Sequence, residues 1–347
     1  MTPSPAGAAA GTAADERDGV DTILHAGGAA LRARMARVEA HLERVTAAAG
    51  APLAKHANAT IRAGGKRLRP LLVLVAAESA GGVRATPLGE GALVRAAVAV
   101  ELVHSATLVH DDLIDGARLR RGRPTVAAAG GRQAAVATGD LLFSLAFAQL
   151  ARNGSAPQLR ALSDASSALA AGELLQREDA YAADVAVERY LRRCELKTAA
   201  LFEAACRLGA LAAARGSSVL AQALGAFARR IGLAFQMLDD VLDVSGPVEH
   251  TGKSRGTDLL DGTVTLPFIL AREREPQLAS FDLASLTSPD QAERLCERIA
   301  ATGALDEARE RALAVVGEAK AALPSALPGE RSGLLELVAD AVVERYR

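Results

Sequence analysis

The sequence contains no tryptophan, three tyrosines and seven phenylalanines, so aromatic residues make up only 3% of its 347 positions. A pocket that holds a cation mainly against aromatic ring faces is therefore not what this chain is built around. Cysteine is scarce too. Cys194, Cys206 and Cys296 are scattered and odd in number, and they fit neither a disulfide framework nor zinc-ligand spacing. Each reads as a small packing residue, and the pattern points to a reducing, cytoplasmic compartment. The net charge is −1, so nothing draws the whole molecule to nucleic acid or to an anionic membrane. Any phosphate it binds must be met by local basic clusters. No run reaches the roughly 18 uninterrupted apolar residues of a membrane helix. The opening MTPSPAGAAAGTAADERDG lacks the basic segment and apolar core of a signal peptide.

What is present reads as helix. Half the residues are hydrophobic, enough for a sizeable core. Residues 1–20 are Ala/Gly/Pro/Thr-rich and then charged, the composition of a disordered tail. From Asp21 onward Ala and Leu dominate, with Arg and Glu at helical spacing and no alternating β-branched runs. Breaks carry Gly or Pro, as at Gly64–Gly65, Gly122–Pro124 and Gly154–Pro157. The expected fold is all-α, a single domain over 21–347, with helices over 21–48, 131–152 and 186–213 among others. The stretches 90–115 and 218–244 are apolar nearly all round and should be central.

Two acidic clusters carry the chemistry. Residues 109–115, VHDDLID, close one apolar run with Asp111, Asp112 and Asp115. Residues 235–243, FQMLDDVLD, close another with Asp239, Asp240 and Asp243 at the same spacing. Positions four apart share a helix face, so Asp111 and Asp115 point the same way and repel. At a helix's last turns they also face the negative end of its dipole. Each effect is unfavourable by about a few tenths of a kcal/mol. A divalent cation relieves both, and Mg²⁺ takes one or two carboxylates and fills its shell with water and substrate phosphate. Arg118, Arg120, Arg121 and Arg123 follow the first cluster, and guanidinium grips phosphate oxygens in bidentate fashion. Two such triplets, each ending an apolar helix, read as a metal–diphosphate site.

Other residues join them. In GGKRLRP, Gly64 and Gly65 let backbone approach a ligand, and Lys66 and Arg69 lie one helical turn apart. Cations at a helix start are electrostatically misplaced unless an anion binds there. His104 lies seven residues before Asp111, on the same face, and either hydrogen-bonds within the core or donates to a phosphate oxygen. His110 reads as structural. Lys197 and Thr198 interrupt an apolar helix, Gln236 adjoins the second triplet, and Lys253, Asp258 and Asp261 follow it in a loop.

These motifs stand in the order seen in trans-isoprenyl diphosphate synthases, the polyprenyl synthases. GGKRLRP, HDDLID with RLRRGRPT, LKTAAL, FQMLDDVLD and GKSRGTDLLDGTVTLP all occur, so the chain resembles that family, in its long-chain bacterial type, over about residues 22–345. The resemblance implies a helical bundle of the isoprenoid synthase type with a deep central cavity, and a homodimer. It also implies Mg²⁺-dependent, head-to-tail condensation of isopentenyl diphosphate with an allylic diphosphate. Carried over, Asp111, Asp115 and Asp239 would hold magnesium, supported by Asp112, Asp240 and Asp243. Arg120 would touch the allylic diphosphate, and Lys66, Arg69, His104 and Arg121 would bind isopentenyl diphosphate. Lys197, Thr198, Gln236 and Lys253 would complete the allylic site. Thr263 stands where many members have Lys, which leaves one outer phosphate contact without its cation.

In this family, bulk on the helix above the first motif stops the growing tail. Here the residue five before Asp111, about 7.5 Å up a helix, is Ala106, next to Ser105. Neither blocks, and HDDLID lacks the two extra residues of the short-chain bacterial type. Leu102, Phe143 and Phe147 are the candidates for a deeper floor. The expected product is a chain of about C30 to C50, the size of a quinone side chain, with geranylgeranyl or farnesyl diphosphate as the alternative. A class I terpene cyclase is disfavoured by the low aromatic content and the second acidic motif, and a non-catalytic subunit of a two-component synthase by the six intact aspartates. Association with a membrane is at most peripheral.

Overall fold

The computed structural model describes residues 11–51, 53–83, 87–182, 184–213, 217–246, 255–323, 327 and 329–344. Helices α1 (Gly11–Ala26) and α2 (Gly28–Ala47) stand where one helix was expected over 21–48. The chain divides at Gly28, whose φ of +72° is free of steric cost only for glycine. Helix α1 starts inside the stretch read as a tail, and residues 1–10 lie outside the described chain. Next come α3 (Leu53–Arg62), α4 (Leu68–Ser79) and α5 (Pro87–Ile114). A hairpin that sequence reasoning did not foresee follows: β1 (Leu119–Arg120) pairs antiparallel with β2 (Arg123–Pro124). Its two loop residues, Arg121 and Gly122, both have positive φ, as a tight type I′ turn requires.

Helix α6 (Val126–Ala151) begins five residues before the expected 131. The Thr125 hydroxyl caps it by accepting from Ala128 N, and a kink at Gly131 separates the first turn. Helix α7 (Ala156–Glu178) is capped likewise by Ser155. The helix expected over 186–213 is interrupted: α8 (Val187–Cys194) runs through a π turn, Glu195–Ala199, into α9 (Ala200–Ala212). Helix α10 (Ser218–Ser245) carries the second acidic motif. Shorter helices complete the chain: α11 (Thr257–Leu260), α12 (Leu266–Arg274), α13 (Pro276–Ala279), α14 (Pro289–Ala301), α15 (Ala304–Ala321) and α16 (Gly329–Glu344).

The expected central helices are central. Helix α5 packs on α2, α4, α6 and α9, while α10 packs on α9 and α15. Leu93, Val98, Leu102 and Ala106 of α5 and Phe227, Ile231 and Ala234 of α10 are wholly buried. Each fully buried Leu, Ile or Phe stabilises by roughly 1.5–3 kcal/mol, and this core fixes where the two acidic helix ends lie. All three cysteines are buried, and burial pushes the thiols of Cys206 and Cys296 up to about 12, so they pack rather than react.

Two helical stretches, Gly89–Ile114 and Val126–Ala151, are long and apolar enough to cross a membrane. Scattered polar residues hid this from a search for uninterrupted runs. The most apolar window of the first is 72% buried, as befits a core helix; that of the second is only 39% buried. Helix α6 therefore turns a broad face outward, and its only charged residues are Arg132 and Asp140.

Candidate active site

The site is arranged around the π turn. Two helices come close to its backbone at glycines. A Cβ on Gly172 of α7 would meet Lys197 N at 2.6 Å, and one on Gly232 of α10 would meet Ala199 Cα at 2.8 Å. Any side chain at either position would push the turn away. Lys197 and Thr198, adjacent in this turn, reach toward different acidic motifs.

On the first side, Lys197 Nζ lies 2.5 Å from Glu173 Oε2. Glu173 Oε1 also accepts from Arg177 Nε at 3.1 Å, and the same guanidinium pairs with Asp115. Asp111 is half-buried beside them. Burial, opposed by Lys197 and reinforced by Glu173 and Asp115, pushes its carboxyl up to about 6. Asp112 points elsewhere, is buried, and accepts from Arg120 Nε at 2.7 Å. The division read from helical spacing, with Asp111 and Asp115 together and Asp112 apart, holds.

The basic group forms at α4, α5 and the hairpin. Arg67, at a left-handed φ of 52°, turns inward rather than toward an anion. It donates to Glu39 Oε1 at 2.7 Å, Glu101 Oε1 at 2.7 Å and the Ile61 carbonyl at 2.8 Å. Lys66 precedes this anchor and Arg69 follows it. Arg69 Nη1 lies 3.2 Å from His104 Nε2, and its guanidinium sits 5.0 Å above the Phe202 ring. Arg121 folds over Gly65, where a Cβ would come within 2.9 Å of its Nη1. Burial pushes Arg69 down to about 10, with Glu101 opposing and Arg121 reinforcing the shift. Burial and the surrounding arginines drive His104 well below its usual range. His104 is therefore neutral and accepts from Arg69, instead of offering Nε2–H outward. Cations that disfavour one another in this way are relieved by a bound anion. A cavity of about 300 Å³ runs along this face of α5, bordered by Glu101, His104, Ser105, Leu108, Arg120 and Arg121.

On the second side, Thr198 Oγ1 donates to Gln236 Oε1 at 2.8 Å, and Gln236 Nε2 donates to Asp240 Oδ1 at 2.7 Å. Burial and the charge of Asp258 push Asp240 up to about 8, and burial pushes Asp243 up to about 6. Asp258 N donates to Asp243 Oδ2 at 3.2 Å, which brings the following loop back onto α10. Asp239 is half-buried on the same helix, and Lys253 lies outside the described residues. Of the expected tunnel-floor residues, Leu102 is fully buried in the core. Phe143 is half-buried with its ring 6.0 Å from that of His110, and Phe147 is half-buried.

Among the described residues, no three acidic, His or Cys groups stand ready as a protein-only metal cage. Asp111, with Asp115 on the same face, offers hard carboxylate oxygens of the kind that suit a divalent cation keeping waters and substrate oxygens in its shell. The half-buried Asp111, whose carboxyl burial pushes up to about 6, carries a burden that a divalent cation removes. Sequence reasoning missed Glu39, Glu101, Glu173, Arg177 and Tyr190. Each acts on a partner 28 or more residues away along the chain, or on a motif of another helix, where periodicity carries no signal.

A family profile described as polyprenyl synthetase matches residues 51–301. The chain belongs to this family. It is 41% identical over 244 residues to heptaprenyl diphosphate synthase component 2 of Geobacillus stearothermophilus, covering 70% of this chain and 73% of the relative. It is 36% identical to geranylgeranyl diphosphate synthase of Methanosarcina mazei, covering 84% and 90%. The solved polyprenyl synthase of Caulobacter crescentus, complexed with calcium and isoprenyl diphosphate, superposes with a TM-score of 0.86 at 35% identity, over 94% of this chain and 98% of that one. This polyprenyl synthase is thus a prenyltransferase with an all-α isoprenoid synthase fold, a divalent-metal-dependent enzyme acting on isoprenyl diphosphates. The relatives span several product lengths.

Proposed function

We propose that this enzyme joins isopentenyl diphosphate head-to-tail to an allylic diphosphate, with Mg²⁺, and repeats the step to an all-trans product of about C30 to C50. The observation that carries the reading is the placement of Lys197 and Thr198, neighbours in one π turn, one reaching Glu173 beside Asp111 and the other reaching Gln236 beside Asp240. A reaction centre lying over that turn meets both acidic motifs. Asp111, Asp115 and Asp239 are the magnesium ligands in this reading, with Asp112, Asp240 and Asp243 supporting them. Bound magnesium would act as a Lewis acid that neutralises charge on the departing diphosphate.

The chain's own residues do the rest. Lys66, Arg69 and Arg121 hold the isopentenyl diphosphate, and His104 orients Arg69. Lys197, with Arg120, faces the allylic diphosphate, and Lys253, outside the described residues, is assigned to the same site by its motif alone. The allylic C–O bond breaks and its electron pair leaves with the diphosphate. The isopentenyl double bond supplies the pair for the new C–C bond, and a proton passes to the departed diphosphate. Thr198 and Gln236 direct oxygen dipoles at the carbon that becomes cationic. Ala106 and Ser105 are both buried and small, which supports a tail that runs on past the short-chain lengths.

The outward face of α6, with two charges in 26 residues and half-exposed phenylalanines, favours pairing with a second copy. A different subunit is the second reading, favoured by the name of the Geobacillus relative. The enzyme would work in the cytoplasm. The test is incubation of the purified chain with labelled isopentenyl diphosphate, each allylic primer, and Mg²⁺ or chelator, with product sizing and solution mass. Farnesyl diphosphate alone would reject the long-chain reading, and product formed only on adding a second protein would reject the homodimer.

A further inference from the structure

Tyr190 lies outside every motif, yet it is wholly buried and its phenol reaches the second acidic cluster. Its hydroxyl donates to Asp240 Oδ2 at 2.7 Å, while Gln236 Nε2 donates to Asp240 Oδ1 at 2.7 Å. Thr198 Oγ1 donates in turn to Gln236 Oε1 at 2.8 Å. Donor and acceptor chemistry sets the direction of this chain. The Gln236 amide turns its NH₂ to Asp240 Oδ1 and its oxygen to Thr198. Thr198 has a single proton and must give it to that oxygen. Only lone pairs remain on the Thr198 hydroxyl for any other neighbour.

We propose that Tyr190 is a positioning residue that holds the Tyr190–Asp240–Gln236–Thr198 chain in the orientation that leaves the Thr198 oxygen as an electron-rich dipole toward the allylic carbon. The inference rests on the prenyl-transfer reading above and adds a residue to it. With the phenol in place, both Asp240 oxygens have donors and the carboxylate cannot rotate. Without it, Oδ2 is buried with no donor from this side, Asp240 is free to turn, and the Gln236 amide loses its fixed partner.

Backbone geometry makes the chain possible. Eight residues separate Tyr190 from Thr198, and at about 100° per residue a regular α-helix would leave them roughly 80° apart. The π turn Glu195–Ala199 adds one residue to the ladder and takes up about 100° of rotation, leaving them within roughly 20°. Both side chains thereby face α10. Arg193, whose guanidinium lies 5.4 Å over the Tyr190 ring and donates to the Val264 carbonyl, pins the phenol from the other side.

The substitution Tyr190→Phe deletes only the hydroxyl. The expected result is a fall in kcat of about tenfold, the size of one buried hydrogen bond to a charged acceptor, with KM for both substrates within about twofold. On a Thr198→Val background, where the aimed dipole is gone, the same substitution should cost less than about twofold more. A merely structural tyrosine would cost the same factor in both backgrounds. The inference is overturned if kcat of the Phe variant stays within twofold of wild type, if the two penalties multiply, or if Thr198→Val keeps full activity. A wild-type chain that makes no prenyl product with primer, isopentenyl diphosphate and Mg²⁺ overturns the reading beneath it. An active wild type with an indifferent Tyr190→Phe overturns this inference alone.

Discussion

Replacing Arg67 by Met should destabilise the protein by roughly 3–5 kcal/mol, the cost of leaving a buried charge without its partner. The Arg67 side chain is 8% exposed and that of Glu101 is 5% exposed, with 2.7 Å between them. Met keeps the length of the alkyl stem and suffers the same left-handed backbone, so the change isolates the charge. Glu39 is 43% exposed and can turn to water; Glu101 cannot. At about 2–4 °C per kcal/mol, the melting temperature should fall by roughly 6–20 °C. The double variant Arg67→Met, Glu101→Leu removes both charges and should recover more than half of the loss.

The deficit must also depend on pH. Burial already holds Glu101 above the usual carboxylate range with Arg67 opposing it, and the single variant removes that opposition. A carboxyl raised in the folded state contributes stability that is fully present below its unfolded pKa and is lost as pH rises through its folded one. The Arg67→Met deficit should therefore be smaller at pH 5 than at pH 8. Thermal melts of the three proteins across that range test this. A single variant within about 2 °C of wild type, or a deficit that shrinks as pH rises, would refute the argument. Because Lys66 and Arg69 flank this anchor, KM for isopentenyl diphosphate should rise in the same variant.

Two further outcomes concern the first acidic motif. Asp111 stands at about 6 in the metal-free protein, so protons and metal compete there. Mn²⁺ affinity, followed by electron paramagnetic resonance without substrate, should rise about tenfold per pH unit below 6 and level off above about 7; a flat profile from pH 5 to 7 would count against it. Arg177 occupies Asp115 and Glu173 together, so Arg177→Met should tighten Mn²⁺ binding by about three- to tenfold. Calorimetry giving equal or weaker binding would show that this guanidinium does not compete.

The sequence by itself determined the all-α fold, because Ala/Leu-rich runs at helical spacing leave no other way to bury their apolar faces. It also determined which aspartates share a face, since 3.6 residues per turn puts positions four apart together wherever the helix lies. Tertiary structure decided what those aspartates touch. Nothing in the spacing of GGKRLRP says that Arg67 turns inward to Glu39 and Glu101 while Arg69 turns to His104; that follows from a left-handed residue and from partners 28, 34 and 35 positions away. The π turn was hidden for a related reason. Its extra residue is stabilised by α7 and α10 closing on it at Gly172 and Gly232, and contacts between helices distant in sequence leave no periodic trace in any one of them. Local pattern fixes the helices and their faces, whereas the order in which faces meet is set by packing the whole chain at once.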